Sequence, residues 1–281
     1  MAELTTAMIT DLRARTNAGM MDCKKALQET SGDMDAAIKL LRERGQAIQV
    51  KRAAKEANQG IVSAAAVADG SAMSLAEVNC ETDFVAKTDG FKKFVVTVAD
   101  KVLAGDENVA ETMKDDLVGI VAATGENVKI RRVSRFVLSG AGRLESYIHM
   151  GGKVGVLVEL SCGKAETAGN PAFVELIHDL ALQVAAAAPR WLDGAAVPAD
   201  VIAAEKDIYR TQVVGKPENI IEKILDGKIK KFFGEVCLVD QVFVKDEAKK
   251  QTISQLVDVT AKKVGDTLAI RRFVRYQLGA A

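Results

Sequence analysis

Glu77-Val78-Asn79-Cys80 and Glu159-Leu160-Ser161-Cys162 are two spellings of one pattern, 82 residues apart in a chain of 281. The same spacing carries Gly70 onto Gly152. It also carries the stripe Phe91, Phe94, Val95, Val98, Ala99, Val102 onto Phe173, Leu176, Ile177, Leu180, Ala181, Val184. A further match, Ile130-Arg131-Arg132 with Ile270-Arg271-Arg272, has a spacing of 140, and each member follows a glycine and an acid, Gly125-Glu126 and Gly265-Asp266. Several matches at one spacing point to an internal duplication. Local periodicity identifies the repeated unit. Ile61 to Val67 and Met73 to Val78 flank Ala68-Asp69-Gly70, a hairpin signal. The Phe91 stripe recurs every three or four residues, as one face of a helix does. A second helical stretch, Asn108 to Ala123, leads to a strand from Val128 to Leu138. The unit is a β-hairpin, helix and strand, and the fold class is α+β with antiparallel strands.

The growth of the spacing from 82 to 140 gives the second copy an insertion of about 58 residues between Ala188 and Gly265. Within it, Asp200 to Val213 reads as a helix. Gly215-Lys216-Pro217 reads as a tight turn, with Pro217 suited to the first position of a second helix striped by Ile221, Leu225 and Phe232. Two such helices form a hairpin that cannot bury both its faces, which predicts a contact with a second copy or with a partner.

Upstream of the duplication the first 45 residues predict three short helices. Leu4, Met8, Ile9 and Leu12 share a face behind Thr5 or Thr6 as cap, and Asn17-Ala18-Gly19 breaks this first helix. Met20 to Glu29 follows, and Ser31-Gly32-Asp33 stops it and caps the next. Met34, Ala37, Ile38 and Leu41 then recur at helical spacing, and Gly45 is expected to end the third helix. Gln46 to Gly60 reads as a helical extension or a linker. The predicted domains are 1–55, 56–140 and 141–281, with the hairpin at about 198–233.

Composition narrows function by exclusion. The 38 basic and 38 acidic residues cancel, which argues against direct nucleic-acid binding. Aromatics are 5% of the chain and Trp191 is the single tryptophan, too few for a base-stacking platform. Cys23, Cys80, Cys162 and Cys237 are far apart, so neither zinc nor any other metal site is expected. There is no opening leader segment and no apolar run of membrane-spanning length, so a reduced, cytoplasmic protein with no membrane association is expected. No phosphate-binding loop is present, and Gly140-Ala141-Gly142 lacks the third glycine of a dinucleotide fingerprint. The two histidines, His149 and His178, sit in no catalytic signature, and His178 lies in the apolar run Phe173 to Val184 as a helix-surface or core residue. The chain reads as a binder without cofactor rather than as an enzyme.

The duplication also separates scaffold from function. Glu81-Thr82-Asp83-Phe84-Val85 falls opposite Gly163-Lys164-Ala165-Glu166-Thr167. The scaffold therefore does not demand an aspartate and an aromatic between strand end and helix start. Thr82 or Asp83 as a helix cap and Phe84 tucked into the core is one reading of these residues. An exposed aromatic anchor beside a carboxylate, built for a protein interface, is the other.

Thr82-Asp83-Phe84-Val85, following Glu77-Val78-Asn79-Cys80, closely resembles the T-D-F-V motif of the bacterial elongation factor Ts family. So do Leu12-Arg13 through Thr16, Gly19-Met20-Met21-Asp22-Cys23-Lys24-Lys25-Ala26-Leu27 and Gly32-Asp33. The resemblance continues through Gly125-Glu126-Asn127, Ser146-Tyr147-Ile148-His149, Gly215-Lys216-Pro217 and Gly234-Glu235-Val236, nearly the whole chain. It implies a nucleotide exchange factor for the translational GTPase elongation factor Tu, with an N-terminal bundle like a ubiquitin-associated domain, a duplicated core and an inserted coiled-coil hairpin. It implies that Phe84 acts as a wedge between helices of the GTPase near its magnesium site, and that Asp83 disturbs the network around switch II and the metal. By the same resemblance Arg13, Met20, Met21 and His149 are partner contacts, and Thr82, Val85, Gly125 and Val244 belong to the matched partner surface. A homodimer or 2:2 complex through the hairpin is a further expectation. The chain departs from the family at Thr124, where an apolar residue is common, and at Lys245, where methionine is familiar. It ends at Leu278-Gly279-Ala280-Ala281, without the C-terminal helical module of many relatives, so a partner surface from that module is not expected. Two readings compete: a thiol enzyme built on Cys80, and a structural adaptor that binds the GTPase without exchange.

Overall fold

The computed structural model describes residues 4–16, 18–213, 217–248 and 250–280, with only the backbone of 218 and 219. Asn17, Gly215 and Lys216, which figure in the expected helix break and hairpin turn, lie outside the described residues. The chain divides into two compact units, Met1–Phe136 with Ile148–Gly155 and Tyr276–Ala281, and Val137–Tyr147 with Val156–Arg275.

In the first unit, α1 (Thr6–Thr16), α2 (Met20–Glu29) and α3 (Met34–Arg52) close a small core of Leu12, Ala18, Cys23, Ala26, Leu27, Ala37 and Leu41. The Thr5 hydroxyl accepts from the Met8 amide, and Asp33 accepts from the Ala36 amide at 2.9 Å, so both helix starts use the caps that the sequence offers. Gly45 does not end α3, which runs on to Arg52. A β-carbon at Gly45 would stand 2.7 Å from both the Cγ1 and the carbonyl oxygen of Val118. The glycine lets α3 approach α7 (Lys114–Thr124) closely, which outweighs the roughly 1 kcal/mol that glycine costs inside a helix.

Strands β1 (Gln59–Ala66) and β2 (Ala72–Cys80) pair antiparallel, with Gln59 opposite Cys80 and Ala66 opposite Met73. A one-turn helix, α4 (Asp83–Ala86), precedes α5 (Asp89–Leu103), which lays Phe91, Phe94, Val95, Val98, Ala99 and Val102 on the sheet. The expected single stretch from Asn108 divides at the buried Met113 into α6 (Val109–Thr112) and α7. Strand β3 (Lys129–Val137) completes a sheet of order β1-β2-β3.

The second sheet has the order β4-β5-β6, from β4 (Gly142–His149), β5 (Val154–Cys162) and β6 (Leu268–Gln277). In the second unit α8 (Pro171–Ala187) buries Phe173, Ile177, Leu180, Ala181 and Val184, the counterparts of the α5 face. Helix α11 (Ile253–Val264) occupies the place of α7, 140 residues on, and opens with a capping box between Thr252 and Gln255. The inserted arm is α9 (Ala199–Thr211) and α10 (Glu218–Val236), the latter running beyond the expected end near 233. Pro217 caps α10 rather than occupying its first turn. Arg210 pairs with Glu222 at 2.7 Å across the arm, and α9 buries no residue of its own.

The duplication extends to polar detail. Glu77 is fully buried and bonded by Arg131 (3.1 Å) and Arg132 (2.6 Å), while Glu159 receives Arg272 at 2.7 Å. Buried carboxylates need such partners because isolated charges are very costly away from water. Gly60 and Gly142 stand at φ 140° and 155°, where a β-carbon would meet the carbonyl oxygens of Val78 and Leu160 at 2.1 and 2.4 Å. Glycine alone permits this approach of the paired strands. The fold is thus the expected one, two small antiparallel sheets with helices and an N-terminal helical bundle.

Candidate partner-binding site

Strand β2 is buried along its length and delivers the chain to the surface just beyond Cys80. Thr82 then caps α4. Its backbone is extended (φ −122°, ψ 153°), and its hydroxyl accepts from the Val85 amide at 3.3 Å while donating to Glu126 Oε1 at 2.6 Å. Glu126 Oε2 accepts the amides of Glu81 (3.1 Å) and Thr82 (3.0 Å). One carboxylate therefore holds three donors of the turn. It is aimed there by Gly125, the left-handed C-cap of α7.

With both flanks fixed, the short helix turns Val85 and Ala86 inward to the core and Asp83 and Phe84 outward. Phe84 is 78% exposed, so the core-packed alternative for it does not hold. Asp83 accepts from Lys87 Nζ at 2.5 Å, and the same ammonium stands 5.9 Å from the centre of the Phe84 ring. The lysine hydrogen bond holds the Asp83 carboxyl below its usual range, so it is ionised at neutral pH. An aromatic ring beside an anion, both offered to solvent, is the chemistry of an interface anchor.

Cys80 lies directly beneath. Its thiol donates to the Thr82 carbonyl at 3.2 Å, and burial, then the nearby Glu126 charge, pushes it up to about 12. So buried and so weakly acidic a thiol is suited to packing, not to nucleophilic attack. Among the described residues no group of three or more His, Cys, Asp and Glu could hold a metal ion.

The other expected contact residues divide by place. Met20 and Met21 are 51% and 63% exposed at the start of α2, and Arg13 is exposed on α1. His149 is exposed at the end of β4. Gly125 joins the turn through Glu126, and Val85 sits beneath it in the core. Val244 belongs to the second unit, half exposed, with its amide on Gln183 Oε1 at 2.9 Å. Beside it Lys245 pairs with Asp179 at 2.6 Å. Sequence reasoning gave Glu126, Glu81 and Arg52 no role in the site. The recurrence of an acid after Gly125 and Gly265 was the signal that could have found the first of them.

Fold and turn together define a class: a duplicated α+β protein with a helical N-terminal bundle, in which one copy alone projects an aromatic side chain from a clamped turn. The family model described as Elongation factor TS matches residues 81–280. Elongation factor Ts of Trichlorobacter lovleyi is 45% identical, over 98% of this chain and 93% of its own length. That of Symbiobacterium thermophilum is 46% identical (99% and 93%), and that of Nitratidesulfovibrio vulgaris 41% (98% and 96%). The chain belongs to the elongation factor Ts family, and so to the elongation factors of protein biosynthesis. Among the described residues no helix is long and apolar enough to cross a membrane.

Proposed function

We propose that the chain is a guanine nucleotide exchange factor for elongation factor Tu, acting in the cytoplasm without covalent chemistry of its own. In this reading it promotes GDP release by disturbing the magnesium site of the GTPase. Family membership supports the exchange activity. The observation that carries the mechanism is Phe84, exposed on a turn whose backbone is clamped by Glu126. A rigid turn spends little binding energy on ordering itself, so insertion of the ring can be spent on displacing helices of the partner. Burying one phenylalanine is worth roughly 2–3 kcal/mol, and each 1.4 kcal/mol off the release barrier is tenfold in rate. The ionised Asp83 would compete for the groups that hold magnesium and phosphate, whose charge neutralisation retains the nucleotide. Linkage fixes the rest: a factor that weakens nucleotide is weakened by nucleotide to the same extent, so incoming GTP expels it.

The adaptor reading predicts binding to elongation factor Tu with an unaltered nucleotide off-rate. Release of fluorescent GDP, followed with and without the protein, separates the two; binding without acceleration would sink the exchange reading. The exposed Ile208 and Ile220 support a second contact on the arm of α9 and α10, joining two copies. Sedimentation of the parent as a dimer and of Ile208→Lys as a monomer is expected, and a monomeric parent contradicts it.

A further inference from the structure

The clamp on the Phe84 turn has a second layer, and only one copy of the duplication has it. Arg52, the last residue of α3, places Nη1 2.8 and 3.1 Å from the two carboxylate oxygens of Glu81. The Glu81 side chain is largely buried (16% exposed), and its Oε1 also accepts the Asn127 amide at 2.7 Å. Asn127, itself buried, donates from Nδ2 to the Lys55 carbonyl at 2.7 Å, and Lys129 Nζ reaches the Ala53 carbonyl at 3.2 Å. The end of α3 and the residues after it are thus tied to both sides of the turn. Further up the same helix, Arg42 pairs with Asp115 at 3.1 Å and Gly45 seats against Val118.

The second copy keeps the inner clamp and lacks this outer one. Asp266 accepts the Lys164 amide (2.9 Å) and the Thr167 hydroxyl (2.7 Å), much as Glu126 does for its own turn. But the counterpart of Glu81 is Gly163, where even a β-carbon would stand 2.5 Å from Asp266 Oδ1. The scaffold therefore closes its turn without an ion pair. The pair occurs only where the turn carries Asp83 and Phe84, and its cation comes from the helix on which the N-terminal bundle is built.

We propose that Arg52 and Glu81 are positioning residues for nucleotide exchange: they lock α3 to the Phe84 turn, so that the contact surface of the N-terminal bundle and the Phe84 ring meet the GTPase as one pre-set body. This rests on the exchange reading above. Glu81 lies three residues before Phe84, with its carboxylate taken up by Arg52 and the Asn127 amide; its role is to keep the ring from giving way when it is pushed against another protein. Without the lock, the bundle still docks, but part of the docking energy is lost in bending the turn rather than opening the nucleotide site.

The test is GDP release from elongation factor Tu at saturating factor, for Arg52→Ala, Glu81→Gln and Arg52→Lys, each also combined with Phe84→Ala. The maximal release rate should fall roughly threefold to tenfold for Arg52→Ala and Glu81→Gln, as loss of a coupled pair does. The half-saturating concentration should stay within about twofold. Arg52→Lys should recover most of the rate, since a single nitrogen makes both contacts. In the Phe84→Ala background, Arg52→Ala should have no further effect. Glu81→Gln preserves shape and guards against a folding defect in Arg52→Ala, which near-ultraviolet circular dichroism reads directly. An unchanged maximal rate in folded Glu81→Gln, or an equal fall with and without Phe84, overturns the proposal while leaving the exchange reading intact. No acceleration by the parent overturns both.

Discussion

After the matched cysteines the two copies part company. In the first, Glu81 to Ala86 forms a capped helical turn, held by Glu126 and Arg52, with Phe84 and Asp83 facing water. In the second, Gly163 leads into a 3₁₀ turn at Ala165–Gly169, held by Asp266, with no large apolar side chain exposed on it. Beneath these turns the copies agree closely: a buried glutamate on an arginine, a thiol donating at 3.2 Å to the carbonyl two residues on, a left-handed glycine closing the helix that leads into the third strand. The agreement marks what a β-hairpin and helix need in order to fold. The difference marks what one copy was free to devote to a partner, and it is concentrated in a single loop.

The comparison can be pressed at each level. The largest effect is expected where the copies are alike. Glu77→Ala and Glu159→Ala each empty a buried site and take the carboxylate from arginines that are themselves a third to a half exposed, and should cost about 2–4 kcal/mol in urea unfolding, with Glu77 the costlier because two arginines meet it. A cost below about 1 kcal/mol at either site would mean that the shared pair is not scaffold. Next come the thiols. With Cys80 pushed up to about 12 by burial and Cys162 only partly buried, Cys162 should be alkylated at least about a hundredfold faster at pH 8. Equal rates would show that the first turn opens freely. Smaller still, Glu126→Ala and Asp266→Ala should each cost about 1–3 kcal/mol through stranded turn donors. Only Glu126→Ala should slow GDP release. Equal slowing by both would remove the functional distinction between the copies.

Much of this was legible in the sequence, because duplication turns one chain into a small alignment with itself. The spacing of 82 located β2 and α5 and their counterparts β5 and α8 from side-chain type alone. The misread positions are those where a distant neighbour decides. Gly45 looks like a helix stop, and only the closeness of Val118 explains why the helix passes through it. Met113, wholly buried, divides a continuous periodic stretch where its backbone leaves the helix at φ −101°, ψ 17°. Helix α11 is announced in the sequence only by Thr252 and Gln255, since its counterpart α7 matches it in position more than in apolar pattern. At the site, the motif singled out Asp83 and Phe84, but local sequence does not tell an exposed ring from a buried one. That depends on Glu126, more than forty residues away, holding Thr82 so that Val85 turns inward.

The central claim is that exchange resides in the ring that the duplication does not require. It is tested most directly by the rate of fluorescent GDP release from elongation factor Tu with the parent protein and with Phe84→Ala. Because the side chain is 78% exposed, the variant should fold and melt as the parent does. The parent should accelerate release, and Phe84→Ala should forfeit roughly 30- to 150-fold of that acceleration, the worth of burying one phenylalanine. Acceleration by Phe84→Ala equal to that of the parent would contradict the account.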